Sequence, residues 1–171
     1  MKTLKRRRRE SKTDYSIRKK LLKSGIPRVI FRKSNRYVIA QYVISSEARD
    51  RIVTGITSKI LLKYGWPEDM SGSLKSLPAS YLTGFLLGRR IREKKLETPI
   101  IDLGMIRSVN KSRAFSFIKG LVDAGIEIKC GKESFPEEER IQGKKLKRDF
   151  SIYFSRIKSK IEGKIKEKQE K

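Results

Sequence analysis

RVIFRKSNRYVIAQYVI, residues 28–44, is the stretch on which the fold turns. Residues 28–32 and 36–44 are rich in β-branched and aromatic side chains, which suit a pleated, half-buried surface. The link Lys33, Ser34, Asn35 suits a tight hairpin, with Asn35 tolerating a positive φ. Residues 51–57 (RIVTGIT) predict a third strand, and so an antiparallel meander.

Periodicity and punctuation supply the remaining elements. Tyr64-Gly65-Trp66-Pro67 and Gly72 mark 63–77 as irregular. Pro78 suits the first turn of a helix over 78–95. Ala79, Leu82, Leu86 and Ile91 share one face of it. Arg89, Arg90, Arg92, Lys94 and Lys95 load its C-terminal end, where cations suit the helix dipole. Residues 99–104 predict a buried strand. A helix over 112–124 turns Ala114, Phe115, Ile118, Leu121 and Val122 inward and stops before Gly125. Residues 126–128 predict a last short strand, and Glu137, Glu138 and Glu139 a solvated helix start. Phe150, Phe154, Ile157, Ile161 and Ile165 recur at helical steps over 150–169, opposite a Lys-rich face. Gly163 weakens that helix, so it needs a partner surface. The fold class is therefore α/β: a mixed sheet, built from the N-terminal meander plus a βαβα order, with helices packed on it. The expected divisions are a basic arm and short helix at 1–25, an α/β core at 26–130 and a C-terminal extension at 131–171.

Upstream of the hairpin the chain is strongly cationic. Residues 1–36 hold 15 Lys or Arg against two acids, Glu10 and Asp14, within a net charge of +24. Such a block repels itself unless a polyanion neutralises it. Residues 2–12, with Lys5, Arg6, Arg7, Arg8, Arg9 and Lys12, read as an extended arm. Thr13 is the expected cap of a helix over 14–24 that carries Arg18 and ends at Gly25. Ile26-Pro27 then forces extended backbone.

Composition narrows the chemistry. The chain has 171 residues, one cysteine (Cys130) and no histidine. That rules out an intramolecular disulfide, a Cys/His zinc site and a His-based triad. A reducing, cytosolic setting fits this usage. No apolar run approaches the ~18–20 residues of a membrane span, and no secretory signal opens the chain. Phosphate-loop and dinucleotide fingerprints are absent, and no cofactor is implied. An enzyme reading would rest on Asp102 at a strand end, which more simply caps, pairs with a base or meets solvent. A membrane-surface reading would rest on the helix at 150–169.

Nucleic acid is the better partner. Lys and Arg neutralise phosphates, and released counterions supply affinity. Arg32, Lys33, Ser34, Asn35 and Arg36 would put three cations and two short hydrogen-bonding side chains on a hairpin tip. Such a tip suits the wide RNA minor groove and its 2′-hydroxyls. Trp66 either stacks on a base or packs at the edge of the core. Tyr37 and Tyr42 are better read as packing. Arg107, Ser108, Lys111 and Arg113 line a loop that leads into a helix N-terminus, where backbone N–H groups favour an anion.

The stretch LKRRRRESKTDYSIRKKLLKSGIPRVIFRKSNRYVIAQ (4–41) resembles the N-terminal region of the 5S-rRNA-binding large-subunit ribosomal proteins (universal large-subunit protein eighteen), in their archaeal and eukaryotic branch. KYGW at 63–66, PASYLTGFLLGRR at 78–90, IIDLGMIRS at 100–108, SRAFSFIKGLVDAGIEI at 112–128 and FPEEERIQGKKL at 135–146 continue the resemblance in order. It implies a cytoplasmic, non-enzymatic protein that binds 5S rRNA and helps seat it in the central protuberance. It also implies contacts with large-subunit rRNA and with neighbouring ribosomal proteins, including another 5S-binding one. Carried onto this chain, the RNA contacts fall on Arg6, Arg7, Arg8, Arg9, Lys12, Arg18, residues 32–36 and residues 107–113.

Overall fold

The computed structural model describes residues 3–144 and 149–169, with side chains to residue 163. Four strands form one sheet in the order β3-β2-β1-β4: β1 Arg28–Lys33, β2 Val38–Ser46, β3 Arg49–Thr57 and β4 Ile100–Asp102. β1 pairs antiparallel with β2, β2 antiparallel with β3, and β1 parallel with β4. The expected meander and mixed sheet are thus present. β3 begins earlier than its apolar residues suggested. Glu47 and Ala48 (φ 50° and 61°) make a tight reversal that lets Arg49 and Asp50 join the ladder.

α3, Leu77–Glu93, starts at the Ser76 cap with Pro78 in its first turn. It is buried on nearly all sides from Pro78 to Gly88, rather than on one face. The reason is its central place: it packs on β2 and β3 and is covered by α4 (Arg113–Asp123) and α6 (Ser151–Gln169). The α3–α4 crossing is very close. A Cβ on Gly84 would collide with the Phe117 carbonyl, and one on Gly120 with the Tyr81 carbonyl. The two glycines admit each other's backbones, which side chains would hold apart.

Two expectations are corrected downstream. Residues 126–128 form no strand, because the Ile126 N–H donates to the Leu121 carbonyl (3.1 Å) and closes the end of α4 around Gly125 (φ 92°). The strand expected over 99–104 shrinks to β4, since the Asp102 carboxylate accepts the Gly104 N–H (2.8 Å) and turns the chain. Residues 63–77 are largely 3-10 turns, within Ser58–Tyr64 and Glu68–Ser73. α6 docks on the protein's own core: Phe150, Phe154, Ile157 and Ile161 are buried, and Lys158 Nζ sits 5.4 Å from the Phe85 ring centre. Ile165 lies outside the described side chains. The short α5, Glu138–Gln142, starts at the three glutamates as expected: Glu137 is its N-cap residue, and Glu138 and Glu139 lie in its first turn.

Candidate nucleic-acid interface

The arm is folded, not extended. Residues Arg6–Arg9 make one helical turn, α1. The Arg7 carbonyl accepts the N–H groups of Lys12 (2.9 Å) and Thr13 (3.2 Å), which doubles the chain back. The second helix, α2, spans Tyr15–Lys23 and is capped by Asp14 rather than Thr13. The Asp14 carboxylate takes the Ser16 and Ile17 N–H groups at 2.9 and 3.1 Å and also binds Arg8 at 2.7 Å. The Ile17 hydrogen bond, the Arg8 charge and the Ser16 bond hold its pKa below the usual carboxylate value. Thr13 instead accepts from Arg7 Nε (2.9 Å). Lys12 pairs with Glu10 (2.8 Å), Arg6 lies 3.7 Å from the same residue, and Lys5 Nζ sits 4.6 Å from the Tyr15 ring centre. Arg9 is exposed.

Helix α2 meets the sheet through charge. Arg18 binds Asp50 of β3 at 3.0 Å. Asp50 also binds Arg28 of β1 (2.7 Å), which reaches Asp102 of β4 (3.1 Å). Arg32 then binds the other Asp102 oxygen (3.1 Å) and the Asp102 carbonyl (2.9 Å). Burial raises the pKa of Asp50, but Ser45, Arg18 and Arg28 more than offset that and leave it below the ordinary value. Arg8 donates to the Met105 sulfur (3.1 Å), so the arm also touches the loop after β4. Asp102 is therefore a structural anchor, with both carboxylate oxygens occupied, and the catalytic reading of it is withdrawn.

The hairpin tip differs in detail from expectation. Ser34 closes it: its hydroxyl donates to the Tyr37 carbonyl and accepts the Tyr37 N–H, each at 2.9 Å. Asn35 needs no positive φ. Arg32 points back to β4 instead of forward, so Lys33, Asn35 and Arg36 are the exposed tip residues. Lys75, which the sequence did not mark, donates to the Asn35 carbonyl (2.8 Å). Arg113 donates to the Lys75 carbonyl (3.4 Å) and so brings the start of α4 to the tip. Arg107, Ser108 and Lys111 are exposed on the same loop, and Lys111 lies 3.5 Å from Glu137. Ser112 caps α4 in position only: its side chain makes no capping hydrogen bond.

Trp66 leaves the candidate set. It is 3% exposed, packs on Phe150 (ring centres 4.4 Å apart) and donates Nε1–H to the Met70 carbonyl (3.0 Å). The 3-10 turn before it ends at left-handed Gly65 and directs the indole inward, so no face remains for a base. Tyr42 is likewise buried, donating to the Glu97 carbonyl (3.0 Å).

The loop from 103 to 113 touches the arm through Met105 and is linked to the tip by way of Lys75, whose carbonyl Arg113 binds. Arg28 was missed because it is a strand residue with no motif. Its only sequence signal is that Asp50 and Asp102 stand among many cations. Among the described residues no group of three His, Cys, Asp or Glu could hold a metal ion, and no helix is long and apolar enough to cross a membrane.

The model of a family described as "Ribosomal large subunit proteins 60S L5, and 50S L18" matches residues 1–99. The "Large ribosomal subunit protein uL18" of Korarchaeum cryptofilum (strain OPF8) is 41% identical over 164 residues, covering 88% of this chain and 82% of its own length. That of Caldivirga maquilingensis is 40% identical, covering 82% of this chain and 67% of the relative. That of Methanoregula boonei is 36% identical, covering 82% and 79%.

Proposed function

Because the chain belongs to the uL18 family of large-ribosomal-subunit proteins, we propose that it binds 5S rRNA and helps fasten it to large-subunit rRNA in the central protuberance. The family is structural, not enzymatic, and its place is the cytoplasmic ribosome. What supports the reading is that the arm touches loop 103–113 through Arg8 and Met105, and that Lys75 links the hairpin tip to Arg113 at the end of that loop. In this reading Lys5, Arg6, Arg7, Arg9 and Lys12 neutralise phosphates, while Arg8 and Arg18 shape the arm. Lys33, Asn35 and Arg36 enter the minor groove, and Ser34 sets the tip's shape. Arg107, Ser108, Lys111, Arg113 and the open first turn of α4 take a further phosphate. Residues 1–25 act as the RNA arm, 26–130 as the rRNA-binding core, and 131–171 as the extension that braces the core. Neighbouring ribosomal proteins, another 5S-binding one among them, meet the remaining surface.

Competition binding tests this. Wild type should prefer 5S rRNA over an unrelated RNA duplex of equal length. Deleting residues 1–12 should weaken both complexes, while Asn35→Ala should weaken the 5S complex alone. A wild type without preference for 5S rRNA would sink the reading, and equal losses for Asn35→Ala would remove the tip from it.

A further inference from the structure

Helix α2 has no buried residue, and nine residues are too few to stay helical alone. An alternating chain of charges across three strands ties it to the sheet: Arg18, Asp50, Arg28, Asp102 and Arg32, linked at 3.0, 2.7, 3.1 and 3.1 Å. Arg28 at its centre is 1% exposed. Both acids are spent on arginines, in a chain whose net charge of +24 would favour RNA more without them. For a protein that only needed charge, such acids are a cost. They make sense if the shape of the cationic surface matters.

We propose that Asp50 and Asp102 are positioning residues for RNA recognition: through Arg18, Arg28 and Arg32 they dock α2, and with it α1, on the sheet before RNA arrives. The inference rests on the proposed RNA-binding function and deepens it. A free arm must be ordered at the moment of binding, which lowers affinity. A docked arm has that cost met during folding and presents its arginines in a fixed frame. The Arg8 contacts to Asp14 and Met105 extend the frame to the first turn. A small polar cleft of about 110 Å³ remains between Arg7, Lys12 and Arg18 on the arm and Arg32 and Asp102 on the sheet.

The test exploits a sign. Asp50→Asn adds one unit of positive charge, so counterion release alone would tighten RNA binding. The proposal requires the opposite for 5S rRNA: about tenfold weaker binding, with the slope of log K against log salt shallower by about 0.9 for each phosphate the arm no longer neutralises. Binding to an unrelated duplex should hold or tighten, because an undocked arm keeps its charge. Amide exchange of residues 15–23 in the free protein should speed up. Asp50→Glu, which keeps the carboxylate, should restore both the 5S preference and the slow exchange. Glu47→Gln makes the same charge change at the exposed β2–β3 reversal and should weaken nothing. Asp102→Asn breaks the other end of the chain and should act in the same direction. Should that buried variant fail to fold, Asp50→Asn decides alone. Unchanged or tighter 5S binding by Asp50→Asn overturns the proposal, and so does unchanged exchange over 15–23. A wild type indifferent to 5S rRNA overturns the functional reading instead, and the exchange comparison still decides whether Asp50 docks the helix.

Discussion

Single residues show how much of this surface is decided by partners and how little by charge alone. Arg32 and Arg36 bracket the same turn, yet Arg32 is tied to Asp102 and only Arg36 faces outward. Sequence composition cannot separate them, because the distinction depends on which strand lies beside β1. Trp66 teaches the same lesson from the other side. A tryptophan between Gly65 and Pro67 reads as a loop residue, but Phe150, 84 residues further along at the entry to α6, covers it. Replacing Trp66 with alanine should therefore destabilise the fold by about 3–5 kcal/mol, the usual range for a buried aromatic. Urea denaturation would measure it. At temperatures where the variant is folded, the salt slope of RNA binding should be that of wild type. A stable variant with weakened RNA binding would return Trp66 to the interface.

At the scale of elements, strand and helix positions were legible wherever local pattern decides them: the hairpin, the helix after Pro78 and the stripe at 150–161. Closures made by distant or unpatterned contacts were not. The end of α4 consumes the N–H that a strand at 126 would have used, and Asp102 ends β4 with its own side chain. Nor did the one-face reading of α3 anticipate that two helices and a sheet would surround it. The α3–α4 crossing carries its own prediction. Gly120→Leu would force the backbones apart at Tyr81 and should cost about 1–3 kcal/mol or more, as overpacking does, visible as a lower Tm. Acid should act first on the N-terminal elements. Asp14 and Asp50 both have pKa values lowered by folding. A lowered folded pKa gives stability that is complete above the unfolded carboxylate value, about 4, and is lost as pH falls through the folded value. Residues 15–23 should thus lose exchange protection below about pH 4, before the core does. Simultaneous loss of protection throughout the protein would contradict this ranking.

For the whole molecule, the sheet and its packed helices form the base, while Arg8 ties the arm to the loop after β4 and Lys75 links the tip to Arg113 at the start of α4. The family was legible in the sequence because many short motifs recur in order across the chain. The shape of the proposed RNA-binding surface was not, because ion pairs between residues as far apart as Arg28 and Asp102 support it. If about 6–10 phosphates are neutralised, affinity for 5S rRNA should fall roughly 10³–10⁵-fold between 50 and 200 mM salt. A flat response in a titration would leave charge neutralisation without a role. The most direct test of the account is site-directed crosslinking in purified large subunits, with photoreactive groups at positions 9, 36 and 107. The account predicts crosslinks to 5S rRNA from all three positions. Crosslinks confined to large-subunit rRNA or to neighbouring proteins, with 5S rRNA unlabelled, would contradict it.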